Sequence, residues 1–78
     1  MERARRLAFA GREEEAVELL LAIFEAGGRD EHVAALLAEW VATHTTGPRP
    51  HQLLGDVYQR MGRIHEALEQ YRLALQKL

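Results

Sequence analysis

Glycine and proline divide the 78-residue chain into five segments, and this punctuation limits the fold more than any other feature. Gly11, Gly27-Gly28, the Gly47-Pro48-Arg49-Pro50 stretch and Gly62 separate segments whose apolar residues recur every three or four positions. That is the period of an amphipathic helix and not the alternation of a strand. The predicted helices cover about residues 2–10, 12–26, 31–44, 48–61 and 63–78. Four short connections make successive helices antiparallel neighbours, so the expected fold class is all-α.

Each segment carries its own stripe. Val17, Leu20, Leu21 and Phe24, widened by Ala16, Leu19 and Ile23, make the second helix the most apolar, and it is expected at the centre of the core. Its opening run Glu13-Glu14-Glu15 suits the positive end of the helix dipole. Asp30 is the expected N-cap of the third helix, which carries Val33, Leu36, Leu37, Trp40 and Val41. The fourth begins within Pro48–Pro50, where proline fits a first turn. On the fifth, Ile64, Leu68, Tyr71, Leu75 and Leu78 lie beside the small residues Ala67 and Ala74. A chain of this size buries only about 60% of its unfolded surface, so its core is thin. With no cysteine, neither a disulfide nor a thiolate zinc site can reinforce it.

The last thirty residues hold the most specific pattern: Leu54-Gly55-x-x-Tyr58, then Gly62, then Ala67-x-x-x-Tyr71-x-x-Ala74. This resembles a tetratricopeptide repeat, a helix-turn-helix unit with a 34-residue period. Gly55 and Ala67 are small where two antiparallel helices approach, Tyr58 and Tyr71 fill the space between them, and Gly62 makes the turn. His51 occupies the family's tryptophan position, and the pattern stops at Leu78, before the family's terminal proline. A weaker echo covers residues 1–27, where Leu7, Gly11, Ala16, Leu20 and Ile23 stand for Tyr58, Gly62, Ala67, Tyr71 and Ala74. Ala16 and Ala67 are 51 positions apart, 17 more than one period, so the two hairpins are out of phase. One domain is therefore expected: a hairpin over 1–27, an odd helix over 30–44 acting as a lone cap or spacer, and a repeat hairpin over 48–78. The third and fourth helices are not expected to form a repeat of their own, because Pro50 would stand where a repeat's small alanine belongs.

The resemblance implies a protein-binding groove lined by the polar side of the fourth helix: Arg49, Gln52, Asp56, Gln59 and Arg60. Its occupant would be an extended peptide or a partner's helix. Asp56 would repel a terminal carboxylate, which argues against a chaperone-tail ligand. Repeat proteins need about three units to cover their apolar surfaces. Two at most are present, so self-association, as a homodimer, is expected through Trp40, Tyr71, Leu75 and Leu78. The starting methionine fits a complete small protein or the front of a longer one, whose remaining helices would then cover the apolar surface instead of a second copy.

Other function classes find less support. No H-E-x-x-H, phosphate-cradling glycine loop or nucleophile motif occurs and serine is absent, so no catalytic residue, cofactor or enzyme activity is expected. His44 and His51 flank one linker, yet surface histidines without a metal are the expectation. Arg3, Arg5, Arg6 and Arg12 could supply contacts for a nucleic-acid-associated or regulatory helical domain. They lack aromatic stacking partners and precede an acidic helix, so nucleic acid is the second choice as partner. Nine arginines stand against one lysine, a bias that genome composition or heat adaptation explains without a ligand. The longest apolar run, residues 16–24, is broken by Glu18 and falls short of the roughly 20 residues of a spanning helix. No targeting signal is visible, and a cytoplasmic location without membrane contact is the expectation.

Overall fold

A computed structural model describes residues 1–78 as five helices: α1 Glu2–Phe9, α2 Glu13–Ala26, α3 Asp30–Thr43, α4 Pro48–Arg60 and α5 Ile64–Gln76. No strand is present, and the fold is all-α as the periodicity requires. The helices form a slab of 29 × 29 × 17 Å. Consecutive pairs α1–α2, α3–α4 and α4–α5 pack extensively, while α2 also touches α4 and α3 also touches α1.

The α1–α2 and α4–α5 turns repeat each other residue by residue, 51 positions apart. After α1, Gly11 has φ +81°, Arg12 N–H donates to Leu7 O at 3.0 Å, and the Arg12 side chain pairs with Glu15. After α4, Gly62 has φ +81°, Arg63 N–H donates to Tyr58 O at 2.8 Å, and the Arg63 side chain pairs with Glu66. Both are Schellman closures, in which a left-handed glycine lets the next amide reach back to a carbonyl left free at the helix end. The first residue of the following helix lies just beyond, and Ala16 and Ala67 are buried three positions further on.

Core placement differs from expectation in two respects. The second helix is not the centre: α2 buries only Ala16, Val17 and Leu20, while Leu19, Leu21, Ile23 and Phe24 stay partly exposed at the edge of the core. The odd helix is not a lone cap. α3 buries Val33, Ala34, Leu36, Leu37 and Trp40 against α1, α2 and α4. α3 and α4 pack together as chain neighbours, and Pro50 is fully buried in the first turn of α4, where a missing N–H costs nothing. The fourth helix is the most buried, with Leu53, Leu54, Val57 and Tyr58 facing the core.

Gly55 marks the closest helix approach. A Cβ there would stand 2.5 Å from the Tyr71 ring, so glycine is what allows α5 to seat its tyrosine on α4. His51, at the tryptophan position of the repeat pattern, is also buried and makes a 2.7 Å hydrogen bond between its Nδ1 and Gln70 Oε1. The solvent-accessible area is 4743 Å². A compact monomer of this mass is expected to expose about 4,800 Å², so the chain is as compact as its mass predicts.

Candidate functional site

The polar side of α4 meets α2 along a narrow cleft of about 110 Å³ lined by Val17, Leu21, Arg49, Gln52, Leu53 and Asp56. Glu13 ties the two helices together. Both carboxylate oxygens accept from Gly47 N–H at 3.1 Å, tying the first turn of α2 to the N-cap of α4. The connector is thereby anchored, and α4 is held at a fixed height on α2. Arg49 lies beside Glu14 and Glu18, with Nη1 3.7 and 3.6 Å from their nearest oxygens. These distances exceed hydrogen-bond length, and the guanidinium is 42% exposed, so it remains available to another acceptor. Gln52 and Asp56 are exposed one turn apart on the same side of α4.

Asp56 and Gln59 join through Tyr71. The phenol donates to Asp56 Oδ1 at 2.5 Å, and Gln59 Oε1 lies 3.0 Å from the same oxygen. A phenol has one proton, which the carboxylate holds. Gln59 is best satisfied with its amide turned so that NH₂ donates to the phenolic oxygen. Burial first, and the Asp56 contact second, push the Tyr71 phenol up from 10.0 to about 12. It is neutral throughout the physiological range, an orienting donor rather than an acid.

Arg60 departs from the set. Its Nε and Nη2 grip the two Asp30 oxygens at 2.8 and 2.5 Å, and Nη2 also donates to Phe24 O at 2.6 Å. The guanidinium carbon stands 3.7 Å from the Phe24 ring centre, a cation–π contact. Hydrogen bonding to Arg60 lowers the Asp30 pKa against the opposing effect of desolvation. Arg60 is thus a structural tie joining α4 to the α2–α3 turn, not a free groove residue. Asp30, expected as an N-cap, is instead the first residue of α3 and makes no capping bond, its carboxylate being taken by this tie. Four predicted groove residues remain on the outer side of α4, with Arg49, Gln52 and Asp56 at the cleft and Gln59 on Tyr71.

The predicted association residues separate in the same way. Trp40 is 2% exposed and belongs to the core, so it is withdrawn as an interface residue; its stripe is covered by the chain's own helices. Tyr71 is half-buried against Gly55. Leu75 and Leu78 are 69% and 84% exposed, and Ile64 and Leu68 join them on α5. His44 stacks on Phe9 with ring centres 5.0 Å apart, while His51 lies inside. No group of three or more His, Asp or Glu residues stands close enough to hold a metal ion. Among the N-terminal arginines, Arg5 pairs with Glu39 at 2.9 Å and Arg12 with Glu15 at 2.6 Å. No helix is long and apolar enough to cross a membrane.

Glu13 and Asp30 carry contacts that local reading missed. Their partners lie 34 and 30 positions away, beyond any helical spacing, and neither Gly47 nor Arg60 marks itself as their complement.

Neither the comparison with curated proteins nor that with solved structures returned a match. Among protein families, the one described as the bacterial transcriptional activator domain matches residues 1–78, the whole chain. It is not the tetratricopeptide family that the repeat pattern suggested, and it favours the regulatory alternative over a general binding module. The five-helix chain belongs to the bacterial transcriptional activator domain family.

Proposed function

We propose that the chain is a non-enzymatic interaction module of a bacterial transcriptional regulator, working in the cytoplasm and binding a protein segment along the α2–α4 cleft. The observation that carries this reading is the state of Arg49. It stands in a cleft with Val17, Leu21 and Leu53 on one side, beyond hydrogen-bond length from Glu14 and Glu18, with Gln52 and Asp56 exposed beside it. A basic group, an amide and a carboxylate on one helix can read the backbone and charges of a peptide or helix laid across them. The two alike hairpins act as tetratricopeptide-type packing units, holding α4 against α2 so that the cleft keeps its width. No metal, cofactor or catalytic group is called for.

Affinity capture from a bacterial lysate, comparing the wild-type chain with Arg49→Glu and Gln52→Ala, tests the reading. A partner retained by wild type and lost by both variants, with helical content unchanged, is the expected result. Equal capture by all three would sink the cleft as the site.

A second reading keeps the regulatory role but gives the contact to DNA through α1. Arg3 and Arg6 are exposed there. Phosphate contacts of this kind weaken steeply with salt, with a slope set by the number of neutralised phosphates. Binding to duplex DNA that falls off in this way and is lost in Arg3→Ala/Arg6→Ala would support it. The acidic start of α2 speaks against it, because Glu13, Glu14 and Glu15 follow α1 directly.

A further inference from the structure

The two hairpins differ at one pair of equivalent positions in a way that packing does not require. Tyr58 precedes Gly62 as Leu7 precedes Gly11, and the amide after each glycine closes on the carbonyl of that residue in the same manner. An aliphatic side chain therefore satisfies this place in a hairpin. At Tyr58 the ring lies in the core, with 8% of the residue exposed, and the Arg63 guanidinium stands over its face at 4.7 Å. Its hydroxyl bonds to no group of the chain, and since no enclosed side-chain oxygen or nitrogen lacks a partner, it stands open to the outside. Tyr71 is the contrast, its phenol being held by Asp56 and Gln59.

Tyr58 lines a cleft of about 600 Å³ between α3 and the α4–α5 turn. α3 supplies Ala34, Ala35 and Ala38, so no branched side chain obstructs that side, and Met61 adds an unbranched one. Glu31, Tyr58 and Arg63 are the only lining side chains with an oxygen or nitrogen. Arg63 is already engaged: Nε and Nη2 donate to Glu66 at 2.6 and 2.5 Å, and among the groups that raise its pKa this hydrogen bond comes first and Glu31 last. Asp30 is held by Arg60, and Arg29 stands outside the cleft. Glu31 is left as an exposed carboxylate without an ion-pair partner, so the cleft carries one uncompensated negative charge.

An acid, a free hydroxyl and an apolar surface in one cleft suit a cation on a long apolar stem. Lysine fits better than arginine. A guanidinium gains most from a planar fork or an open ring face, and Arg63 already covers the face of Tyr58. An ammonium needs only separate acceptors, and it has three protons to give them. We propose that the cleft receives a lysine side chain carried by an apolar segment of a partner protein. The stem lies along Ala34, Ala35 and Ala38, and the ammonium donates to the Glu31 carboxylate and the Tyr58 hydroxyl. The volume exceeds that of one side chain, so residues flanking the lysine occupy the rest beside Met61. This goes beyond the proposed function: the α2–α4 cleft shares no lining residue with this one, so either claim can fail while the other stands.

Titration of the isotope-labelled 78-residue chain with the blocked peptide acetyl-Leu-Lys-Leu-amide, followed by amide chemical shifts, tests the docking. Saturable shifts at residues 31–38 and 58–63 are the expected result. The same peptide with norleucine in place of lysine should bind about two- to fivefold more weakly, the worth of an exposed charge pair. Glu31→Gln should show a loss of the same size. Tyr58→Phe removes only the hydroxyl and leaves the ring in the core, and should weaken binding by about twofold or more. Both variants should keep the wild-type helical spectrum. No saturable shift, shifts centred instead on residues 17–21 and 49–56, or a norleucine peptide that binds as well as the lysine one overturns the proposal. So does either variant that binds with wild-type affinity. Acetyl-lysine-amide binding as tightly as the longer peptide would overturn it too, since a free cation and not a protein segment would then be the ligand.

Discussion

Replacing Gly55 with alanine puts a methyl carbon 2.5 Å from Tyr71 Cε1 and 2.8 Å from Cδ1, where ordinary contact needs nearly an ångström more. The ring is wedged between α4 and α5 and held by Asp56, so it cannot swing aside without losing that hydrogen bond. Overpacking of this kind costs roughly 1–3 kcal/mol, while alanine in a helix interior returns about 1 kcal/mol relative to glycine. The net expectation is destabilisation by about 1 kcal/mol, or about 4–8 °C in melting temperature for a domain of this size. The sign should reverse once the ring is gone. In a Tyr71→Ala background the clash is absent, and Gly55→Ala should stabilise by about 1 kcal/mol through propensity alone. Urea titrations of the four proteins, followed by helical circular dichroism, close a double-mutant cycle with an expected coupling of about 2 kcal/mol. Gly55→Ala that stabilises with Tyr71 in place, or a coupling near zero, would refute the close-approach argument.

Three further outcomes follow from contacts at and around the cleft. Glu13→Ala removes the only side-chain acceptor bonded to Gly47 N–H and should cost about 1 kcal/mol, the usual worth of an N-terminal capping contact, read as a lower melting temperature. Asp30 has a folded pKa below its ordinary 3.8, so its contribution is complete above that value and is lost as pH falls through the lowered one. Acid titration of Asp30→Asn should therefore show a shallower loss of stability than wild type, and an identical profile would contradict the Arg60 tie. Tyr71 has the opposite sign: its folded pKa of about 12 lies above the ordinary 10.0, so its contribution is present below pH 10 and is lost as pH rises towards 12. In that alkaline window Tyr71→Phe should lose less stability than wild type, as followed by urea midpoint against pH.

The helices were legible because every boundary carries a local chemical cause. Gly11 and Gly62 can turn left-handed, Pro48 can start a helix, and apolar spacing shows which side of each segment avoids water. Periodicity does not say what covers an apolar side. Trp40 and Leu75 looked equally available in sequence, yet α4 and its neighbours cover the first and nothing covers the second. The groove was legible for the same local reason, as one polar side of α4. Arg60 fell out of it because a long guanidinium can reach Asp30 and Phe24 O on other elements, which no spacing rule within α4 encodes. Glu13 was read correctly as an acid at a helix start, but its second role depends on the position of Gly47, which is decided only when α4 packs on α2. The repeat pattern captured the hairpin geometry of residues 48–78, whereas the family assignment draws on the whole chain.

Site-specific photocrosslinking at position 52 tests the central claim most directly. Gln52 is an exposed position in the wall of the α2–α4 cleft, and His32, exposed on α3, serves as the control position. With a photoreactive amino acid at each position in bacterial cells, position 52 should give one discrete protein adduct that survives nuclease treatment and disappears with Arg49→Glu, and position 32 should not give it. No adduct at position 52, or one that nuclease removes, would contradict a protein-binding cleft between α2 and α4.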